Sequence, residues 1–159
     1  VADMAEDEVL ATVNASPTRR WMGVLMLGAV GALSIYVAFA TPPDLVWQAF
    51  LLLIGVGALW LALRMEQATR GQIELTESEI RLAGGERIAL MSEIASVDRG
   101  MFAFKPSNGF LIRTTSRGAR RWAPGLWWRT GRRIGIGGVT PGHQTKMMSD
   151  IISGILAER

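Results

Sequence analysis

The spacing of hydrophobic positions changes character three times along the chain. Residues 21–40, "WMGVLMLGAVGALSIYVAFA", form an unbroken run without a charged side chain, and residues 45–63, "LVWQAFLLLIGVGALWLAL", form a second whose polar member, Gln48, lies near one end. At 1.5 Å per residue each run makes a helix of roughly 30 Å, the thickness of bilayer hydrocarbon. The joint "TPPD" (41–44) is short, and its prolines cannot continue a helix. Trp21, Trp47 and Trp60 lie near the ends of the runs, where indoles favour the headgroup level. The pattern predicts a transmembrane α-helical hairpin over 21–64, with spans at 21–40 and 45–63.

After a short helical continuation, "RMEQATRG", the period drops to two. "GQIELTESEIRLAGGERIAL" (71–90) predicts three short strands carrying Ile73 and Leu75, Ile80 and Leu82, and Ile88 and Leu90, with turns at "TES" and "AGGE". "SEIASVDRG" (92–100) predicts a strand running into a loop, and "MFAFKPSNGFLIRTTS" (101–116) a hairpin turning at "KPSNG". "RRWAPGLWWRTGRRIGIGGV" (120–139) offers two more strands, broken near Pro124-Gly125 and Thr130-Gly131. In the last stretch Gln144, Met147, Met148, Ile151, Ile152 and Ile155 recur at helical spacing, with Pro141 suited to the first turn. The chain thus divides into a polar segment (1–20) with a short helix over 4–13, the hairpin, and a mainly β domain (71–159).

This order of strands, with "IELTESEIRL" and "ERIALMSEIASVD" at the start and "RRIGIGGVTP" leading into the last helix, resembles the bacterial pleckstrin-homology-like domains attached to membrane hairpins. The resemblance covers about the last 90 residues and implies a small, strongly bent barrel of about seven strands capped by a C-terminal helix. It implies no single activity, because this fold serves lipid binding, protein binding and scaffolding alike.

Charge sets the orientation. Arg19 and Arg20 precede the first span, Arg64 and Arg70 follow the second, and the connecting turn carries no basic residue. Positive-inside reasoning places both termini in the cytoplasm of a bacterium, with the protein multi-pass in the inner membrane. Arg19-Arg20 followed by an apolar run ending in Ala38-Phe39-Ala40 also imitates a cleavable signal. The run is long for a signal core and the second span follows at once, which favours the hairpin. Gly28 with Ala32, and Ala58 with Ala62, have the small-xxx-small spacing of close helix packing, and packing within the hairpin is the simpler expectation.

The chain contains no cysteine and one histidine, His143, which excludes thiolate chemistry, cysteine-zinc sites and histidine-rich metal centres. His143, Ser149 and Asp150 supply the letters of a triad, but adjacent helical residues diverge by about 100°, so they cannot converge. "GIGG" (135–138) lacks the lysine and spacing of a phosphate loop and reads as a strand with close backbone approach. No catalytic residue, cofactor site or metal site is expected.

The net charge is +3, but its distribution is uneven. From Arg99 to Lys146 there are ten Lys and Arg residues and no acidic one. The candidate surface consists of Arg113, Arg117, Arg120, Arg121, Trp122, Trp127, Trp128, Arg129, Arg132 and Arg133. Tethering to a membrane disfavours nucleic acid as its partner, and leaves anionic lipid or another protein; plain packing of the tryptophans in the core is the competing reading. The sequence leads to a non-enzymatic accessory, stabilising or assembly subunit of a larger membrane complex, respiratory or photosynthetic complexes being natural hosts. The alternative is an anionic-lipid-binding or membrane-organising module.

Overall fold

A computed structural model of the chain describes residues 8–40, 44–83, 85–99 and 108–158. Strand β1 (Ala11–Asn14) comes first, followed by the long helices α1 (Pro17–Ala40) and α2 (Leu45–Ala68). Among the described residues six more strands follow: β2 (Gln72–Leu75), β3 (Glu79–Leu82), β4 (Arg87–Leu90), β5 (Ile94–Asp98), β6 (Phe110–Ala123) and β7 (Trp127–Ile136). Helix α3 (Gly142–Ala157) ends the fold. The strands form two antiparallel sheets, in the orders β1-β2-β3-β4 and β5-β6-β7.

The three strands expected in 71–90 and the strand after residue 92 are present. The expectation of a short helix over 4–13 is corrected in its described part: Ala11–Asn14 is a strand, paired antiparallel with β2 so that Ala11 faces Leu75 and Asn14 faces Gln72. The sheet therefore starts before the apolar hairpin and resumes after it. Val13, fully buried, belongs to the same core as Ile73 and Leu75. The first arm of the hairpin expected over 101–116 lies outside the described residues.

A closed seven-strand barrel is not seen among the described residues. A single 3₁₀ turn, Met91–Glu93, separates β4 from β5, so the ladder breaks there and the strands divide four and three. The edge of β1 is covered by α3: the Asn14 amide donates to Gln144 Oε1 at 3.0 Å. Covering an edge with a helix blocks the addition of a further strand there. Between the sheets Ile80, Ile94, Phe110, Ile112, Ile134 and Ile136 make the core, with Met148 and Ile152 of α3 fully buried against it. The buried face of α3 is Thr145, Met148, Ser149 and Ile152, while Met147 points out at 56% exposure. Pro141 stands at the N-cap, just ahead of the first turn.

Helices α1 and α2 have 24 residues each and are long and apolar enough to cross a membrane. They are not core helices: only 11% of either apolar window is buried. All large exposed apolar side chains among the described residues lie on these helices, except Val9, Trp122 and Met147.

The helices meet through a seven-residue repeat. Gly31 and Ala38 are the buried residues of α1, and Gly55 and Ala62 those of α2, followed by Met65. A Cβ on Gly31 would come 2.9 Å from the Gly55 carbonyl oxygen, and one on Gly55 would come 2.6 Å from Ile35 Cγ1. The two backbones touch there. The expectation that Gly28 and Ala32 pack the hairpin is thereby corrected: Ala32 is exposed, and a Cβ on Gly28 would meet nothing within 4 Å. Ala62 keeps its predicted role and Ala58 is half-buried. One repeat before Gly55, Gln48 donates from Nε2 to the Ala38 carbonyl at 3.0 Å. It thus satisfies one of the four carbonyls that the end of α1 leaves without an intrahelical partner.

Gly55→Leu should force the helices apart and cost about 1–3 kcal/mol, the usual range for overpacking. Gly28→Leu should leave stability unchanged. Thermal unfolding of the two full-length variants in mild detergent checks the pair, and equal loss in both would contradict the crossing point.

Candidate functional site on the β6–β7 hairpin

Arginine and tryptophan from the basic stretch are set out by the register of β6 and β7. Directly opposed residues share a face, and the register opposes Arg113 to Arg133, Arg121 to Arg129, Trp122 to Trp128 and Ala123 to Trp127. The turn between the strands is Pro124–Leu126, where the sequence breaks. The second expected break, at Thr130-Gly131, is corrected: β7 runs through it, with Gly131 at φ 59°.

Gly131 opposes Gly118 at an irregular point where β6 carries extra residues. Five residues of β6 pass two of β7 between the 113–133 and 118–131 pairs, and three pass two before the 121–129 pair. Bulges of this kind bend and twist a hairpin. Ten residues of straight strand would span about 33 Å, yet the Gly137 amide reaches the Leu126 carbonyl at 2.8 Å and the Val139 amide reaches Gly125 at 3.0 Å. The hairpin is folded back upon its own base.

The fold-back separates the aromatic residues. Trp127 is 4% exposed and joins the core with Leu126, so its assignment to a surface is corrected. Trp122 is 50% exposed. Trp128 is half-buried, its indole lying where a Cβ of Gly135 would stand, which explains one glycine of "GIGG". Gly138 explains another, since a Cβ there would come 2.6 Å from the Gly125 carbonyl carbon.

The arginines separate too. Arg129 is half-buried; its guanidinium lies across Gly118 and donates from Nη1 to the Ile88 carbonyl at 3.0 Å, tying the folded hairpin to β4. Arg121 pairs with Glu86 at 2.6 Å. Arg113, Arg117, Arg120, Arg132 and Arg133 are exposed and form no ion pair among the described residues. Arg120, Arg121, Trp122, Trp128 and Thr130 line an open groove of ≈ 410 Å³.

Several carboxylates elsewhere are already engaged by arginines. Glu74 and Glu79 contact Arg81, each at 3.4 Å, and Glu79 pairs with Arg87 at 2.7 Å. Burial opposes the charge of Arg81, but hydrogen bonds and attraction from Glu74 and Glu79 prevail and hold its pKa above the ordinary guanidinium value. Asp150 pairs with Arg99, which also donates to Ser149 Oγ at 2.7 Å. Ser149 Oγ in turn donates to the Lys146 carbonyl, while His143 stands exposed at the start of α3, so the three triad letters do not converge. Among the described residues no three His, Cys, Asp or Glu side chains cluster as a metal site would require.

The turn of the hairpin lies on the end of α2. A Cβ on Gly125 (φ 85°) would come 3.0 Å from Thr69 Cγ2 and 3.4 Å from Met65 Cε, and one on Gly71 would come 3.5 Å from Leu126 Cδ2. At the same place a polar latch joins the helices. Arg20 donates from Nε to Thr69 Oγ1 at 2.8 Å and from Nη2 to Glu66 Oε1 at 2.9 Å. Arg70 pairs with the same carboxylate at 2.7 Å. Arg19 donates to the Thr140 carbonyl at 3.1 Å, and the Ser16 amide to Val139 at 2.8 Å. Sequence reasoning used Arg19, Arg20 and Arg70 only as markers of orientation and missed Glu66, Thr69 and Gln48. A signal for two of them existed: Gln48 and Thr69 continue the seven-residue repeat of Gly55 and Ala62.

No protein-family model matches the chain, nor does any curated protein or solved structure.

Arg20 and Glu66 are only 16% and 19% exposed as side chains, so truncating either leaves a poorly solvated partner. Arg20→Ala should cost about 1.5–3 kcal/mol, the range for hydrogen bonds to charged groups. The exposed Arg87→Ala should cost about 0–1 kcal/mol. Paired unfolding curves in detergent test the difference.

Proposed function

We propose that the chain is a non-enzymatic integral membrane protein of the bacterial inner membrane that serves as an accessory, stabilising or assembly subunit of a larger membrane complex. The soluble part acts as a pleckstrin-homology-like domain held on the cytoplasmic side. Pairing of β1 with β2 supports a two-span topology, because both ends of the hairpin must return to one sheet. Arg19, Arg20, Arg64 and Arg70 all lie toward that end, which by the positive-inside rule is cytoplasmic. Cleavage after residue 40 would remove Val13 from the core, which supports an uncleaved first helix.

The observation that carries the subunit reading is the outward position of Gly28 and Ala32. The hairpin spends Gly31, Ala38, Gly55 and Ala62 on its own contact, leaving a small-xxx-small notch on α1 toward the bilayer. Such a notch lets a foreign helix approach closely. The soluble part, fixed to the start of α1 by Arg19 on the Thr140 carbonyl and the Ser16 amide on Val139, then serves as a rigid handle beside the docked helix.

The full-length protein extracted in mild detergent should run as part of one dominant larger assembly. Gly28→Leu should release it as a folded, smaller species while leaving its melting temperature unchanged. Recovery of the wild type solely as a free monomer would refute the subunit reading. A reporter fused at residue 43 should be periplasmic and one at the C-terminus cytoplasmic.

A further inference from the structure

We propose that the groove lined by Arg120, Arg121, Trp122, Trp128 and Thr130 binds the phosphate headgroup of an anionic glycerophospholipid in the leaflet next to the soluble domain. Three independent features of the molecule lead there.

The first is position. The β6–β7 turn rests on Met65 of α2 and on Thr69, the residue that caps it, directly beyond the apolar run that ends at Leu63. Trp122 and Trp128 are each three residues from Gly125, so their backbones lie within about 10 Å of that contact at strand spacing. The exposed Trp60, with Arg64 5.8 Å above its ring, marks the same level on α2. The groove is therefore held at headgroup depth whenever the hairpin lies in a bilayer.

The second is chemistry. Alternation along the strands puts Arg120, Trp122, Trp128 and Thr130 on one face. A guanidinium and a hydroxyl are phosphate donors, and a half-exposed indole is suited to the boundary between acyl chain and headgroup.

The third is charge. Glu66, Glu74, Glu79, Glu86 and Asp150 are each matched to an arginine, whereas Arg120 has no acidic partner among the described residues. Arg121 is the exception, shared with Glu86, and that pair makes the site adjustable: removing Glu86 frees a second guanidinium for the phosphate.

The inference rests on the membrane placement of the hairpin but not on any partner subunit. Failure of the membrane placement would be visible separately, as full-length protein that stays soluble without detergent. The test titrates detergent-solubilised full-length protein with a fluorescent short-chain phosphatidylglycerol, and with the matching phosphatidylcholine as a neutral control. Phosphatidylglycerol should bind more tightly than phosphatidylcholine, and Arg120→Gln should weaken it about fivefold, the usual contribution of one basic residue near an anionic surface. Glu86→Gln should tighten it, and Arg87→Gln, an equal charge change on β4, should not alter it. An unchanged affinity in Arg120→Gln, or an equal loss in Arg87→Gln, would overturn the site. Displacement of the bound lipid by millimolar inorganic phosphate would overturn the assignment to a lipid. Because Arg120 is exposed and supports no other group, its substitution leaves the fold intact, which the melting curve verifies.

Discussion

Everything else in the molecule depends on one antiparallel pairing, that of residues 11–14 with 72–75. The two strands are far apart in sequence, and closing such a loop has an entropic cost that grows with its length. Here the helices meet most of that cost. Packed antiparallel helices have axes about 8–10 Å apart, and paired strands about 4.8 Å, so a formed hairpin delivers its ends nearly in register. The pairing in turn fixes the hairpin to the soluble domain through backbone bonds, not through a flexible linker. The Ser16 amide on Val139 and the Arg19 guanidinium on Thr140 extend the same join to the start of α3.

Within the apolar pair, the close contact of Gly31 with Gly55 has consequences at both ends. At one end it brings Gln48 to the Ala38 carbonyl; at the other it brings Arg20 to Glu66 and Thr69. Both are polar contacts at the limits of an apolar zone, where an unpaired group is costly and a paired one fixes register. Small residues in the middle and hydrogen bonds at the ends make the hairpin a rigid body. The β6–β7 turn, seated on Met65 and Thr69, shares that rigidity.

Charge is distributed with the same economy. Carboxylates of the first sheet and of α2 are matched to arginines, so the surplus of positive charge collects on β6 and β7. The bulges around Gly118 and Gly131 then decide where it points. By folding the hairpin back they bury Trp127, leave Trp122 outside, use Arg129 as a strut to β4 and leave Arg120 unpaired. Five of the six cross-strand neighbours in the outer half are aromatic or basic, but only fold-back gives them separate roles.

The elements were legible in the sequence wherever local physics is enough. Uncharged runs about as long as bilayer hydrocarbon is thick form long apolar helices, and the alternation of Ile73 with Leu75 or Ile80 with Leu82 forms strands with one buried face. The amphipathic spacing of Met148 and Ile152 likewise marks α3, and the excess of arginine after residue 99 marks the basic surface. What the sequence could not reveal is which of these parts meet. A four-residue strand, "ATVN", carries too little pattern to be seen until β2 pairs with it across two helices. Gly28 and Gly31 look equally fit for a helix contact, and only the rotation of α1 against α2 chooses the second. Trp122, Trp127 and Trp128 are chemically alike and lie within seven residues, yet strand alternation and the bend at Gly131 send one to the core and one to the surface. Local propensity and hydrophobicity determine the elements because they act within a few residues. Facing, pairing and burial are decided by contacts between distant residues, and those exist only once the chain has folded.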